Sequence, residues 1–198
     1  MGAGLAFALA GAAASSCTCF VRGTQVATPK GPRAIEDLQI GDEVWSYSLA
    51  DCARVVRTVA ALVRSRASEI LAVQAGEFCI AGVTAEHPFW NVVAGTWQPA
   101  GSLTLGSVLL AALDARELRA QPVTALSRVA ARGEVEVFNL TIAGDEQNYF
   151  AGGVLVHNKS PECHGCYQRP DAEQDVATGD TVSDVATDAS SPTDASID

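Results

Sequence analysis

The sequence predicts an all-β domain built from two related halves and followed by an acidic tail. Three observations predict it. Short runs rich in Val, Ile and Leu alternate with Gly, Pro and Asp punctuation across residues 19–158. Helical periodicity is weak over the same stretch. Short motifs also recur in one order at offsets of 65, 64, 67 and 70 residues.

The strand-like runs are Glu43 to Tyr47, Val55 to Val63, Ile70 to Gln74, Ser107 to Ala112, Pro122 to Val129 and Val135 to Ile142. Asp114 to Ala120 reads as one short turn of helix. In the repeat, Leu38-Gln39-Ile40-Gly41-Asp42 matches Leu103-Thr104-Leu105-Gly106-Ser107, and Val59-Ala60-Ala61-Leu62 matches Val123-Thr124-Ala125-Leu126. Ile70-Leu71-Ala72-Val73 matches Val137-Phe138-Asn139-Leu140, and Ala81-Gly82 with His87 matches Ala151-Gly152 with His157. A pseudo-twofold relation between the halves would set His87 and His157 at related positions near its axis, where one centre can use both. Gly23-Thr24 and Gly41-Asp42 read as turns.

A chain of 198 residues, 48% hydrophobic, can bury a useful core in one domain with tails to spare. The net charge of −10 is unevenly spread. Residues 159–198 hold nine acids against two bases, while residues 1–158 are nearly balanced. No basic face suited to nucleic acid is present. From about residue 170, Asp, Ala, Thr, Ser and Val alternate, and Asp175-Val176-Ala177-Thr178 recurs at Asp184-Val185-Ala186-Thr187. A segment of that composition buries too little surface to offset its chain entropy and is expected to be disordered. Residues 1–16 read as a secretory signal, with an apolar run from Leu5 to Ala14 and small residues at Ala12 and Ala14, although no basic residue precedes the run. The expectation is export to the cell envelope or beyond, with Cys17 as a lipoprotein-like alternative. The domain itself is expected to span residues 17–160, and a Cys-containing then acidic tail residues 161–198.

The chemistry gathers at the two ends of the β region. It opens with Cys19-Phe20-Val21-Arg22-Gly23-Thr24 and closes with Val154-Leu155-Val156-His157-Asn158, with Thr84-Ala85-Glu86-His87 between them. A thiolate is the strongest common side-chain nucleophile and a good leaving group. Imidazole supplies and recovers protons near neutral pH. Each end therefore has a reactive group and a histidine to serve it.

These segments resemble the Hint family, the autoprocessing fold shared by inteins and the C-terminal domains of Hedgehog proteins. The resemblance runs through Cys19-Phe20-x-x-Gly23-Thr24-x-Val26; Ile35-Glu36-Asp37-Leu38-x-x-Gly41-Asp42-x-Val44; Thr84-x-x-His87-Pro88; and Asn148-Tyr149-Phe150-Ala151-x-Gly153-Val154-Leu155-Val156-His157-Asn158. It implies a horseshoe-like β domain in which Cys19 converts the Thr18–Cys19 amide into a thioester. His87 would protonate the departing nitrogen, with Thr84 hydrogen-bonding around the centre. It further implies that Asn158 cyclises on its own carbonyl, activated by His157, and cuts the chain after itself. Three residues depart from the family pattern. Lys159 stands where splicing needs Cys, Ser or Thr, Gln147 where many members have a second His, and Asn139 where an Asp often sits. Cleavage is thus expected rather than splicing. The substrate is the chain's own flanking peptide, and water, a thiol or an amine can accept the acyl group. A sterol acceptor is disfavoured by the polar, acidic sequence after Asn158. No cofactor is expected.

Two other classes compete: a catalytically inactive Hint fold serving as a secreted binding or scaffold module, and a small metal-binding β domain. The second rests on Cys17 with Cys163 and Cys166, whose C-x₂-C spacing is half of a common zinc set. Because a Hint fold brings its ends together, those cysteines could instead form a disulfide that gates Cys19. Cys52 and Cys79 are expected to be buried as small hydrophobes, Glu36 and Asp37 to be solvated, and Trp45, Trp90 and Trp97 to line the core or a pocket.

Overall fold

A computed structural model describes residues 18–112, 117–130 and 133–158. The signal-like residues 1–16, Cys17, Lys159, Cys163, Cys166 and the acidic tail lie outside them. The described chain is almost wholly β. Its strands are β1 (Phe20–Val21), β2 (Gln25–Val26), β3 (Arg33–Ala34), β4 (Glu43–Ser48), β5 (Ala53–Ala67), β6 (Ile70–Ala75) and β7 (Phe78–Val83). There follow β8 (Pro88–Asn91), β9 (Thr96–Pro99), β10 (Val108–Ala112), β11 (Leu118–Val129), β12 (Val135–Ile142), β13 (Asn148–Ala151) and β14 (Val154–His157). Two single 3₁₀ turns, Ile35–Asp37 and Ala100–Ser102, complete the set.

The internal repeat is visible in hydrogen bonds. In the first half, Gly41 N–H donates to Val59 O at 2.8 Å, and Val59 N–H donates back to Asp42 O at 2.8 Å. In the second, Gly106 N–H donates to Val123 O at 2.9 Å and Val123 N–H to Ser107 O at 2.7 Å. The turn before each pair is pinned alike: Asp42 Oδ2 accepts from Gln39 N–H, and Ser107 Oγ accepts from Thr104 N–H. Both turns follow a 3₁₀ turn, and both put their glycine at positive φ, 91° at Gly41 and 86° at Gly106.

The two halves exchange strands. The long strand β5 pairs first with β4 and then, from Val59 to Ala67, with β12 of the other half. β11 likewise pairs first with β10 and then, from Val123 to Val129, with β6. All pairings are antiparallel, in the order β3-β2-β13-β14-β8-β10-β11-β6-β7-β1-β12-β5-β4, with β9 beside β8. The edges of this sheet are laced to one another. Trp45 N–H donates to Ala27 O at 2.9 Å. The Asn148 side chain accepts from Tyr47 N–H and donates to Tyr47 O. The sheet is thereby curled round a core that includes Phe20, Ile35, Phe89, Leu109, Phe138, Leu140, Tyr149 and Val156, all fully buried.

Several expectations need correction. Leu118 to Ala120 form strand rather than helix, because they pair with Ala112 to Leu110 of β10, and a hairpin ladder outweighs weak local propensity. Cys52 and Cys79 are exposed, not buried. Cys52 sits in the β4–β5 turn at φ 52°, and Cys79 takes an outward position on β7 while Ile80 takes the inward one. Glu36 is not merely solvated: its carboxylate accepts the Gly23 N–H at 2.8 and 3.0 Å and fixes the turn after β1. The tryptophans meet the expectation: all three are half-buried against a satellite core cluster around Phe150 and Leu155, and Trp45 also lines a pocket.

One close approach fixes where β1 lies. A Cβ on Gly82 would stand 2.5 Å from Val21 Cγ1 and 2.9 Å from Ile70 Cγ2. Gly82→Ala is therefore expected to displace β1 and cost roughly 1–3 kcal/mol, measured by urea unfolding. An unchanged unfolding midpoint would contradict this packing.

Candidate active site

β1 is a two-residue strand held on both sides. Phe20 pairs with Val83 of β7 and with Phe138 of β12, and Val21 pairs with Val137. Extending both registers by one residue sets Cys19 level with Thr84 on one side and with Asn139 on the other. Thr18, Cys19, Thr84, His87, Asn139 and Asn158 are all buried. The sequence-predicted residues Cys19, Thr84, His87, His157 and Asn158 thus lie in one neighbourhood.

The Thr18–Cys19 amide is gripped from its nitrogen. Cys19 N–H donates to Thr84 Oγ1 at 2.9 Å, while Thr84 N–H donates to Cys19 O at 2.9 Å. Thr84 O accepts from His87 N–H at 3.1 Å, a tight turn that swings the imidazole back over β1. His87 is fully buried, with its ring 4.1 Å from that of Phe20 and 6.0 Å from that of Phe89. Neither ring nitrogen has a hydrogen-bond partner among the described residues. Burial, with a smaller contribution from the nearby His157, lowers the His87 pKa from 6.5 to about 3; the Thr18 backbone opposes this in part. His87 is therefore neutral at physiological pH, with one N–H and one bare nitrogen.

The downstream end arrives on β14. Val156 pairs with Phe89 of β8, and that antiparallel register runs on toward Asn158 and His87. His157 is half-buried with its ring edge-on to Trp97, centroids 4.8 Å apart. Asn158 N–H donates to Gln147 O at 2.8 Å. Gln147 takes a positive φ of 46°, uncommon for a residue with a side chain. Neither Asn158 Nδ2 nor Asn158 Oδ1 has a hydrogen-bond partner among the described residues.

Asn139 joins the ends. Its Nδ2 donates to Thr18 Oγ1 at 3.1 Å and to the Asn158 backbone carbonyl at 3.0 Å. Its Oδ1 accepts from Leu140 N–H at 2.8 Å and from the Tyr149 hydroxyl at 2.9 Å. The Tyr149 pKa is raised well above its ordinary value by burial and by the proximity of Cys19, so the phenol stays protonated and donates. Sequence reasoning noted Asn139 only as a departure and did not single out Tyr149 or the Thr18 hydroxyl. The available signal was a polar residue between Phe138 and Leu140 in an otherwise apolar strand.

Comparison with known proteins agrees with this architecture. Residues 18–74 match the model of a Hint domain. A bacterial intein-like domain from Clostridium thermocellum has a solution structure 30% identical to this chain, with a TM-score of 0.65; the match covers 72% of this chain and 100% of that one. A DnaB intein from Synechocystis superposes with a TM-score of 0.64 at 17% identity, covering 72% of this chain and 99% of its own. The TvoVMA intein does so at 0.63 and 19%, covering 72% and 98%. No curated protein matches the sequence.

The buried neutral imidazole carries a stability consequence. The unfolded chain takes up a proton at His87 below about pH 6.5, whereas the folded chain resists it until about pH 3. Stability is therefore full above pH 6.5 and falls as pH drops toward 3. Denaturant unfolding of the wild type should lose up to about 1 kcal/mol per pH unit more than His87→Gln in that window. Parallel pH profiles for the two proteins would show that His87 is not held neutral by the fold.

Proposed function

The chain belongs to the Hint family, and on that premise we propose that it processes its own backbone, beginning with an N–S acyl shift at Cys19. The observation that carries this reading is the grip on the Thr18–Cys19 amide, whose nitrogen donates to Thr84 Oγ1 beside a buried, neutral imidazole that is influenced by the Thr18 backbone. Cys19 Sγ attacks the Thr18 carbonyl carbon. The C–N bond breaks, a C–S bond forms, and the thiol proton ends on the Cys19 nitrogen as the amine leaves. An unstrained amide is more stable than a thioester, so the site must supply polarisation and a proton. Neutral His87 suits that transfer: it can accept a proton at one nitrogen while releasing another from the other nitrogen, avoiding a lasting buried imidazolium. Thr84 holds the nitrogen in place.

Water, a small thiol or an amine then takes the acyl group from sulfur and releases the upstream peptide. At the other end, Asn158 Nδ2 attacks the Asn158 carbonyl carbon. The bond to Lys159 breaks, a succinimide forms, and a proton from Nδ2 passes to the Lys159 nitrogen. His157, the residue before Asn158 at the end of β14, would assist that transfer. Lys159 offers neither hydroxyl nor thiol, which favours cleavage over ligation of the flanks.

Intact-mass measurement after incubation with a small thiol tests the reading. Wild type should lose everything before Cys19, and Cys19→Ala should abolish that loss. Thr84→Val should slow it about 10- to 100-fold. Asn158→Ala should retain the 40-residue segment 159–198 that wild type sheds. Cleavage before residue 19 at an undiminished rate in Cys19→Ala would refute the proposal.

A further inference from the structure

Asn139 touches both reacting ends, and its orientation is fixed by its partners. The Leu140 N–H can only donate, so the oxygen of the Asn139 amide must face it. The NH₂ group must then face the Thr18 hydroxyl and the Asn158 carbonyl, at 3.1 and 3.0 Å. The Tyr149 hydroxyl, at 2.9 Å, holds the same oxygen from β13. A side-chain amide locked at its oxygen end by two donors is a preorganised donor at its nitrogen end.

The Asn158 carbonyl is the group that becomes an oxyanion when Asn158 Nδ2 attacks it. Gln147, on the chain segment just before β13, offers its backbone carbonyl to Asn158 N–H and so fixes the attacking residue rather than the carbonyl. We infer that Asn139 is the catalytic hydrogen-bond donor to the Asn158 carbonyl, and that through its second N–H it reads the hydroxyl of Thr18, the residue just upstream of the first cut. The inference rests on the self-processing reading above and deepens it.

Two consequences follow from the geometry. A carboxylate at position 139 would have no proton for the Asn158 carbonyl and would repel the developing oxyanion, yet a protonated carboxyl could donate again. Loss of the Thr18 hydroxyl would leave one Asn139 N–H without its acceptor and loosen the amide, so a hydroxyl at position 18 is a determinant of the downstream cut. The titratable groups around the site are Tyr149, Cys19, His87 and His157. All are common to wild type and variant, so the ratio of rates isolates position 139.

The experiment follows release of residues 159–198 by intact mass, without added thiol and counting only molecules whose mass shows that Thr18 is still attached, between pH 5 and pH 8, with melting curves to confirm folding. At pH 8, Asn139→Asp should release the segment about 10²-fold more slowly than wild type. The deficit should shrink at least several-fold as pH falls to 5. Thr18→Val should slow release several-fold, and Thr18→Ser should restore it. Release by folded Asn139→Asp at the wild-type rate, or a deficit that does not change with pH, would overturn the inference and leave the self-processing reading intact. Should Asn139→Asp fail to fold, the Thr18→Val and Thr18→Ser pair decides. Equal release by Thr18→Val and wild type would then overturn it. An intact wild-type chain at both ends would overturn the underlying reading and this inference with it.

Discussion

The structure depends on the capture of β1 between β7 and β12. Two residues of strand cannot hold themselves in place, since a segment that short makes too few hydrogen bonds to offset its ordering. Phe20 supplies the anchor: it is fully buried, pairs with Val83 on one side and Phe138 on the other, and packs on His87. With Phe20 fixed, Cys19 has no freedom to leave Thr84, and the amide before it must lie where Thr84 Oγ1 meets its N–H. The lack of a side chain at Gly82 makes room for Val21, and the carboxylate of Glu36 closes the turn that follows.

The duplicated architecture explains why both ends meet in one place. Each half sends a long strand into the other, β5 onto β12 and β11 onto β6. β7 belongs to the first half and β12 to the second, so a strand inserted between them lies at the junction of the halves. The last strand, β14, reaches the same junction through its pairing with β8. Asn139 on β12 then spans the remaining gap with two hydrogen bonds. Burial gives these bonds their weight, because a polar group left unpaired in such a site is costly.

Much of this was legible in the residues. The long strands have Val, Leu and Ile runs that show their period, and the paired Leu-x-x-Gly motifs mark turns that repeat to within a tenth of an ångström or two in their hydrogen bonds. The short strands β1, β2, β3, β8 and β9 were not legible as strands, because two to four residues carry no measurable periodicity. The tendency of Leu118 to Ala120 toward helix was overridden by a partner strand. The Asn139 contacts were hidden for another reason. They join residues 121 and 19 positions apart, and only the register of β12 against β1 brings them together. Cys52 and Cys79 looked apolar by neighbourhood, but a positive φ and a strand's alternation turned them outward.

The central claim is that the Thr18 acyl group moves onto the sulfur of Cys19. Hydroxylamine captures such a thioester and leaves its mark on the acyl residue. Tandem mass spectrometry of the released upstream peptide should find a hydroxamate at its C-terminal Thr18, dependent on the Cys19 thiol. An upstream peptide ending anywhere else, or a Thr18–Cys19 bond that survives hydroxylamine in the folded chain, would contradict the account.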